Sequence, residues 1–288
     1  MRIAVLSDIH SNYIALKACI DTALSMGAHA FLFLGDYNGD LAHPHRTMEI
    51  LYDLKERYPC YFIKGNKENY WISRRQDRNS RWREYDSTTG CLFYTWENLM
   101  PEDLDFFEGL PHHMNLSFPG LAPLTLCHGS PDRVNEDLLP GCANTRAVME
   151  RDPGSFLLCG HTHRQYAFRH QGKWLLNPGS VGMPLNSRGH ARFMLLHGTE
   201  GGWEHTFLSP EYDAEAVIRE LHTSGLYQKA PCWSRITEHL LRFGTPSHAL
   251  PLRRAMELCR KTRGECVWPD ILEECWEQAV RETLGEEE

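Results

Sequence analysis

The stretch IAVLSDIH, residues 3–10, decides the fold that this sequence predicts. Its first four residues are apolar and indicate a short buried strand, and two polar side chains, Asp8 and His10, follow at the strand's end. Because side chains at positions i and i+2 of an extended segment point the same way, we expect Asp8 and His10 to converge. A carboxylate beside an imidazole suits a divalent metal, but a single Asp-x-His triplet also fits a turn with an ordinary hydrogen-bonded histidine.

Four later segments repeat this arrangement of a short apolar run followed by polar residues. They end in Gly35-Asp36, Gly65-Asn66, His128-Gly129 and Gly160-His161-Thr162-His163. Between the first three runs, apolar residues recur with helical spacing over residues 12–26 and 44–58. Strands that alternate with helices predict a largely parallel sheet, and polar residues at successive strand ends predict a site along one edge of that sheet.

The second half of the chain changes character. Strand patterns occur at residues 111–118, 123–127 and 156–159, and four more segments between residues 166 and 208 have the pattern of a β-meander. After Pro210 the pattern is helical to the end. We therefore expect an α/β (α+β) fold in which two sheets pack together with helices outside, formed by residues 1–209, and a helical C-terminal extension formed by residues 210–288.

Length and composition restrict the class of protein. A chain of 288 residues fits one large domain or a domain with an appendage, and 42% hydrophobic with 24% charged residues is typical of a soluble globular protein. No run is long and apolar enough for a membrane helix, and the apolar start is too short for a signal peptide, which predicts a cytoplasmic location. Ten cysteines without a CxxC pair favour reduced, mostly buried thiols.

The formal charge restricts which partners the protein can bind. Thirty basic and 38 acidic residues give 30 − 38 = −8, and duplex nucleic acid binding needs a basic face instead. We therefore expect no long nucleic acid and no membrane as partner. Bound divalent cations would supply positive charge where a phosphate group lies, so a small phosphorylated substrate is compatible with this composition.

The polar strand ends together form a candidate metal site. Seven nitrogen and oxygen ligands exceed the four that a structural zinc needs, and they fit two adjacent cations with vacant positions for water and substrate. Ligands without cysteine favour Mn²⁺, Fe or Zn²⁺. The candidate ligands are Asp8, His10, Asp36, Asn66, His128, His161 and His163.

In order and spacing these motifs resemble the calcineurin-like metallophosphoesterases, and Asn177-Pro178-Gly179-Ser180 is similar to a turn of their small bacterial branch. The resemblance covers residues 1–208. It implies a four-layer αββα sandwich, in which two mixed sheets lie between helices. It also implies how the metals are held: Asp8, His10 and His163 would bind one ion, Asn66, His128 and His161 the other, and Asp36 would bridge them.

The catalytic residues implied by this resemblance are Asp36, Asn66 and His128, with water activated by the metals as the nucleophile. Many members of the family have a histidine after the Gly-Asn pair, whereas this chain has Lys67. Lys67 either stabilises a phosphate oxygen as a point charge, protonates the leaving group with a lowered pKa, or points to solvent. We interpret Glu68 as a hydrogen-bonding anchor rather than a base.

The basic stretch after Asn66 suggests a substrate. Arg74 and Arg75 begin a series continued by Arg78, Arg81 and Arg83, which either clamps phosphate groups or forms a solvated helix face. Nearby tryptophans would stack a nucleobase, and aromatic residues of the extension would cover the same cleft. The tryptophans are Trp71 and Trp82, and the extension residues are Tyr212, Tyr227 and Trp233.

Two classes of function remain open from the sequence. The favoured one is a metal-dependent hydrolase of a small phosphodiester or phosphoanhydride such as diadenosine tetraphosphate, because the extension weakly resembles one in bacterial dinucleoside-polyphosphate hydrolases. A phosphomonoesterase or protein phosphatase is the alternative reaction. The second class is a catalytically silent binding scaffold of the same fold. The extension either covers the cleft or mediates assembly of a homo-oligomer.

Overall fold

The computed structural model describes residues 1–77 and 81–286. Ten strands lie in these two ranges. Their bounds are β1 Arg2–Leu6, β2 Ala30–Phe33, β3 Cys60–Phe62, β4 His113–Leu116, β5 Leu124–Cys127, β6 Phe156–Leu158, β7 Gln165–His170, β8 Lys173–Pro178, β9 Phe193–Thr199 and β10 Gly202–Leu208.

Helices fill most of the remaining chain within the described ranges. Six of them precede residue 152 and five follow residue 213. Their bounds are α1 Tyr13–Ser25, α2 Pro44–Arg57, α3 Asn66–Gln76, α4 Gly90–Glu97, α5 Pro101–Gly109, α6 Ala143–Arg151, α7 Ala214–Thr223, α8 Leu226–Lys229, α9 Pro231–Phe243, α10 Ala249–Arg263 and α11 Glu273–Leu284.

The strands form two mixed five-stranded sheets. The first has the order β10-β9-β1-β2-β3, with β1, β2 and β3 parallel and β9 antiparallel to β1. The second has the order β4-β5-β6-β8-β7, with β5, β6 and β8 parallel. The predicted pair of mixed sheets is confirmed, and the parallel strands of each sheet are those that carry the polar strand ends.

Strand β1 shows why the molecule has four layers. Successive side chains of a strand point to opposite faces, and here both faces are apolar. Ile3 and Val5 pack between the sheets with residues of β5, β6 and β8, whereas Ala4 and Leu6 pack against helices α1, α2, α3 and α5. The outer face of the second sheet packs against α6. The predicted αββα sandwich is therefore confirmed.

The predicted β-meander is wrong. Strands β7 and β8 form a hairpin in the second sheet, but β9 and β10 form a hairpin in the first. The loop after β8 crosses between the sheets, and the backbone N–H groups of Val181 and Gly182 donate to the carbonyls of Ser7 and Asp8. These bonds satisfy the loop backbone beside β1, where the chain passes from the second sheet to the first.

The helical extension packs on the domain instead of extending away from it. Helices α9, α10 and α11 share a core in which Trp276 is fully buried. The indole N–H of Trp276 donates to Thr88 Oγ1 at 2.8 Å, and the Ser87 hydroxyl donates to Glu273 at 2.8 Å. The backbone N–H of Cys232 donates to Ser87 Oγ at 2.9 Å. The boundary near residue 210 remains a prediction.

The cysteines and helices bear on two other predictions. All ten cysteines are free and seven of them are buried, as expected for reduced thiols. No helix within the described ranges has both the length and the apolar character needed to cross a lipid bilayer.

Replacing Trp276 by alanine should lower the free energy of unfolding by about 3–5 kcal/mol, because it leaves a large cavity in the core of the extension and removes the bond to Thr88. Trp276→Phe keeps most of the ring and loses the bond to Thr88, so its loss should be nearer 1 kcal/mol. Urea denaturation followed by circular dichroism measures both. A loss below 1 kcal/mol for Trp276→Ala, or a separate transition for the extension, would contradict this packing.

Candidate metal centre

The carboxyl ends of five parallel strands meet at one edge of the sandwich. Asp8 and His10 follow β1, Asp36 follows β2 and Asn66 follows β3. From the other sheet, His128 follows β5, while His161 and His163 follow β6. The two sheets thus contribute ligand candidates to a single cluster, as the sequence predicted for one sheet edge.

Most of these residues have a left-handed backbone. Non-glycine residues in this conformation each cost about 1 kcal/mol or more, and they concentrate at functional sites. The premise that Asp8 and His10 belong to an extended segment is therefore wrong, although their side chains do reach the same cluster. Among the seven ligand candidates, those with φ between 50° and 65° are Asp8, His10, Asp36, His161 and His163.

Three histidines of the cluster turn Nδ1 toward an oxygen acceptor outside it. The pairs are His10 with the Asp40 carboxylate (2.7 Å), His128 with the Leu34 carbonyl (2.7 Å) and His163 with the Met183 carbonyl (2.8 Å). A carbonyl or carboxylate oxygen accepts but does not donate, so in the neutral rings Nδ1 carries the proton. Each Nε2 atom then presents a lone pair to the cluster, which is the form that binds a metal.

These lone pairs face one another and two carboxylates. The Nε2 atoms of His10 and His163 are 3.0 Å apart, and Asp8 Oδ1 is 3.4 Å from His163 Nε2. His128 Nε2 lies 3.5 Å from Asp36 Oδ1 and 3.9 Å from Asp8 Oδ1. Asp8 Oδ1 is buried and has no hydrogen-bond partner among the described residues. Buried acceptors without donors are unfavourable unless a cation lies between them.

The charged side chains of the cluster also shift one another's pKa. Burial alone lowers the pKa of His128, but the charges of Asp36 and Asp8 outweigh it and raise that pKa to about 10. The pKa of Asp8, which burial alone raises, is held well below its usual range by His163 and His128. The cluster therefore attracts positive charge, and a divalent metal competes with protons for these atoms. The nitrogen and oxygen atoms of these side chains are therefore suitable ligands for a divalent metal.

Two overlapping groups have ligand atoms close enough for a metal ion. Asp8, His10 and His163 form one, and Asp8, Asp36 and His128 form the other, with all ligand atoms of a group within 4.8 Å of one another. Asp36 lies between His10 and His128, because its Oδ2 is 3.9 Å from His10 Nε2 and its Oδ1 is 3.5 Å from His128 Nε2. This position suits a bridging carboxylate.

The two remaining ligand candidates lie beside these groups. Asn66 Oδ1 is 3.1 Å from His128 Nε2. The His161 ring contacts the His128 ring edge to face with centroids 5.2 Å apart, and its Nε2 atom is 3.6 Å from Asp137. The backbone N–H of His161 donates to Asp8 Oδ2 at 3.0 Å. Hence His161 touches the cluster through both its ring and its backbone.

Glu68 holds the loop that carries Asp36. Its carboxylate accepts hydrogen bonds from the backbone N–H groups of Asp36, Tyr37 and Gly65 at 2.9, 2.9 and 2.7 Å. Burial and the charge of Asp36 raise the pKa of Glu68 to about 7. Glu68 is fully buried and points into backbone, which agrees with its interpretation as an anchor. A Cβ atom on Gly65 would lie 2.2 Å from Asp36 Oδ1, so only glycine permits this approach.

The turn Asn177-Pro178-Gly179-Ser180 supports the histidine loops. Asn177 Nδ2 donates to the Gly160 carbonyl at 2.7 Å, which fixes the start of the loop that carries His161 and His163. The Ser180 hydroxyl donates to the Asp8 carbonyl at 2.7 Å. This turn therefore links the polar ends of β1 and β6.

Asp40 is a site residue that the sequence reasoning missed, because Asn38-Gly39-Asp40 reads as an ordinary loop. Besides facing His10, its carboxylate lies 2.9 Å from Lys67 Nζ and accepts the Trp233 indole N–H at 2.8 Å. Asp40 is buried and has a left-handed backbone. Although it follows Asp36 by only four residues, nothing in the local pattern showed that its side chain faces His10.

The structure does not bring the predicted arginine clamp to the cluster. Arg75 pairs with Asp105 and Glu108 of α5, at 2.7 and 3.3 Å. Arg74 lies over the rings of Trp82 and Phe93.

The other members of the basic stretch and the two tryptophans also differ from the prediction. Arg81 and Arg83 pair with Asp270 of the extension, and Arg78 lies outside the described residues. Trp71 is fully buried in the core and Trp82 packs edge to face on it. The suggestion that Trp71 stacks a nucleobase is therefore wrong, because burial leaves its ring no free face. Of the extension aromatics, Trp233 reaches the site through Asp40.

Comparison with known proteins identifies the family. The sequence pattern of the calcineurin-like phosphoesterase superfamily domain matches residues 1–201. Over 238 residues the chain is 25% identical to the uncharacterized protein MJ0912 of Methanocaldococcus jannaschii, covering 76% of this chain and 91% of the relative.

Two solved structures are similar in fold. The hypothetical protein PH1004 from Pyrococcus horikoshii OT3 superposes with a TM-score of 0.72 at 21% identity, covering 85% of this chain and 99% of that chain. A metallophosphoesterase from Sphaerobacter thermophilus superposes with a TM-score of 0.67 at 21% identity and the same coverage. Since the family match spans residues 1–201, this chain belongs to the calcineurin-like phosphoesterase superfamily and is a metal-dependent phosphoester hydrolase.

Proposed function

We propose that this protein hydrolyses small phosphodiesters with two divalent cations held at the edge of the sandwich. One observation carries the proposal. Three histidine Nε2 lone pairs and the oxygens of two buried carboxylates converge within a few ångströms, and Asp8 Oδ1 has no donor among the described residues. Such a set of acceptors is a binding site for cations and for little else.

We assign ligands to the two ions as the family resemblance implies. The first group, Asp8, His10 and His163, supports the first ion directly, and the second group contains Asp8, Asp36 and His128. Asp8, His10 and His163 hold one cation, and their mutual distances of 3.0 to 3.8 Å fit ligands arranged around a single ion. Asn66, His128 and His161 hold the second, with Asp36 between the two. Its two oxygens face opposite sides, which supports the bridging role. Mn²⁺, Fe and Zn²⁺ all suit these ligands.

Bound divalent cations supply an acidified water and stabilisation of charge on phosphate oxygens. The residues of the chain then do the positioning. Asp40, Leu34 and Met183 keep the metal-binding lone pairs of three histidines pointed inward. Asn66 carries an amide group beside His128, where it also offers N–H donors to a phosphate oxygen.

Lys67 acts as a fixed positive charge in this proposal. Asp40 holds its ammonium group at 2.9 and 3.1 Å, so it does not point to solvent. Burial alone lowers the pKa of Lys67, but the carboxylate of Asp40 outweighs it and keeps the pKa above its ordinary value. An ammonium group held in this close ion pair acts as a fixed positive charge, which favours the point-charge alternative over the proton donor.

The surroundings of the cluster favour a small substrate. Asp8, His10, Asp36 and His128 are buried, whereas the side chains of His161 and His163 are about one-fifth exposed and mark the open side. A diadenosine polyphosphate as substrate, a cytoplasmic location and a homo-oligomeric assembly remain predictions. The catalytically silent scaffold is disfavoured, because every residue of the candidate ligand set is present.

Asp36→Asn should reduce both metal content and turnover of bis-p-nitrophenyl phosphate, the latter by at least about 10²-fold, because one change weakens two ion sites. Elemental analysis of the purified protein and release of p-nitrophenol measure the two effects. The exposed Asp53→Asn is a matched control, since Asp53 pairs with Arg57 on α2. Two metal equivalents and full turnover in Asp36→Asn would contradict the bridging role, and no turnover by the wild type would contradict the proposed reaction.

Lys67→Ala should leave the metal content unchanged and slow good and poor leaving groups alike by about 10²-fold, since it removes a positive charge rather than an acid. Turnover of substituted phenyl diesters of different leaving-group pKa measures this, with the exposed Lys17→Ala as control. A loss restricted to poor leaving groups would restore the proton-donor role, and unchanged rates would remove Lys67 from the mechanism.

A further inference from the structure

Trp233 of α9 connects the helical extension to the metal cluster through one buried carboxylate. Its indole N–H donates to Asp40 Oδ1 at 2.8 Å. The other oxygen of that carboxylate, Asp40 Oδ2, lies 2.7 Å from Nδ1 of His10. A residue of the extension is therefore separated from a candidate metal ligand by a single side chain.

The contacts of Asp40 show what fixes the rotation of its carboxylate, a torsion with broad minima. Lys67 Nζ contacts both oxygens, Oδ1 at 3.1 Å and Oδ2 at 2.9 Å, so it does not hold one of them in place. The Cys91 thiol is 3.8 Å from Oδ1 and is a weak donor. The Trp233 indole is the short, directional donor to Oδ1, and it keeps Oδ2 turned toward His10.

The extension holds the Trp233 ring in one position. The His248 ring stacks on it, with centroids 4.3 Å apart and 29° between the ring planes. The Thr237 hydroxyl donates to the Trp233 carbonyl at 3.0 Å, so it accepts from His248 Nε2, which lies 2.9 Å away. Burial lowers the pKa of His248 to about 4 although the charge of Asp40 opposes this, so the stacked imidazole is neutral near pH 7. These contacts orient the indole N–H toward Asp40.

His10 differs from the other oriented histidines of the cluster in what its Nδ1 atom faces. His128 and His163 face backbone carbonyls, whose positions the fold fixes, whereas His10 faces a side chain that is free to rotate unless it is held. The partner of Nδ1 sets the ring orientation and leaves Nε2 for the metal, and loss of such a partner typically costs about 10- to 100-fold in metal affinity. His10 is therefore the ligand whose orientation depends on the extension.

We propose that Trp233 is a positioning residue of the metal centre, whose indole N–H fixes the Asp40 carboxylate and thereby orients His10 toward the first cation. This role rests on the proposed function, because it takes that cation to be bound by Asp8, His10 and His163. Trp233 itself contacts neither the cation nor the substrate. The extension thus raises the metal affinity of a centre whose candidate ligands all precede residue 164.

Calorimetric titration of the metal-free protein with Mn²⁺ tests this role without relying on turnover. Trp233→Phe keeps a ring that stacks on His248 and removes the N–H donor. It should weaken one of the two Mn²⁺ sites roughly three- to tenfold, less than loss of a direct partner of a ligand, and leave the other site unchanged. His10→Ala, which removes a ligand of the first cation, identifies the step that belongs to that site. Trp276→Phe is the matched control, because its indole N–H donates to Thr88 instead of Asp40.

A double variant shows whether the effect passes through Asp40. Asp40→Ala should weaken the same Mn²⁺ site by at least about tenfold, and adding Trp233→Phe should change nothing further, because the carboxylate that the indole fixes is gone. Unchanged Mn²⁺ affinity in Trp233→Phe, equal weakening of both sites, or additive effects in the double variant would overturn the positioning role. Selective weakening by Trp233→Phe in a protein that does not turn over bis-p-nitrophenyl phosphate would refute the proposed reaction and retain the positioning role. A wild type that binds no Mn²⁺ would contradict both.

Discussion

The structure depends on the convergence of acceptors at one edge of the sandwich, one of which, Asp8 Oδ1, has no donor among the described residues. Lone pairs of His10, His128 and His163 meet oxygens of Asp8 and Asp36 where most of these side chains are buried, so the arrangement needs cations to be stable. The surrounding residues prevent the cluster from relaxing. Carbonyls and Asp40 hold the far side of each imidazole, and Glu68 holds the Asp36 loop.

The backbone around the cluster is conformationally strained. Five of the candidate ligands have positive φ, which packing elsewhere in the fold must offset. Gly160 illustrates how tightly the loops meet, since a Cβ atom there would lie 2.0 Å from Ser7 Oγ. The packed sheets and the turn at Asn177 hold these loops in place despite the strain. The helical extension also supports the cluster, because the Trp233 indole N–H donates to the Asp40 carboxylate, which faces His10.

The local sequence pattern predicted the strands, the helices and the polar residues at the strand ends. Apolar runs and helical spacing located the strands and helices, and the convergence of the polar strand ends was predictable because parallel strands share an edge. The sequence did not show which distant strands pair, and the hairpins β7–β8 and β9–β10 were predicted to form one meander. The bond from Trp233 to Asp40 joins the extension and the domain across about 190 residues of chain, a contact that local pattern cannot predict. The arginine series misled because charge and proximity in sequence do not determine which way a helix faces, and Arg75 faces acidic residues of α5.

The central claim is that the convergent acceptors hold two cations. Anomalous diffraction from crystals soaked in Mn²⁺ tests it most directly, because it locates the ions independently of any reaction. The account predicts two peaks roughly 3.5–4 Å apart, one surrounded by Asp8, His10 and His163 and the other by Asn66, His128 and His161, with Asp36 between them. A single peak, or none at this edge of the sandwich, would contradict it.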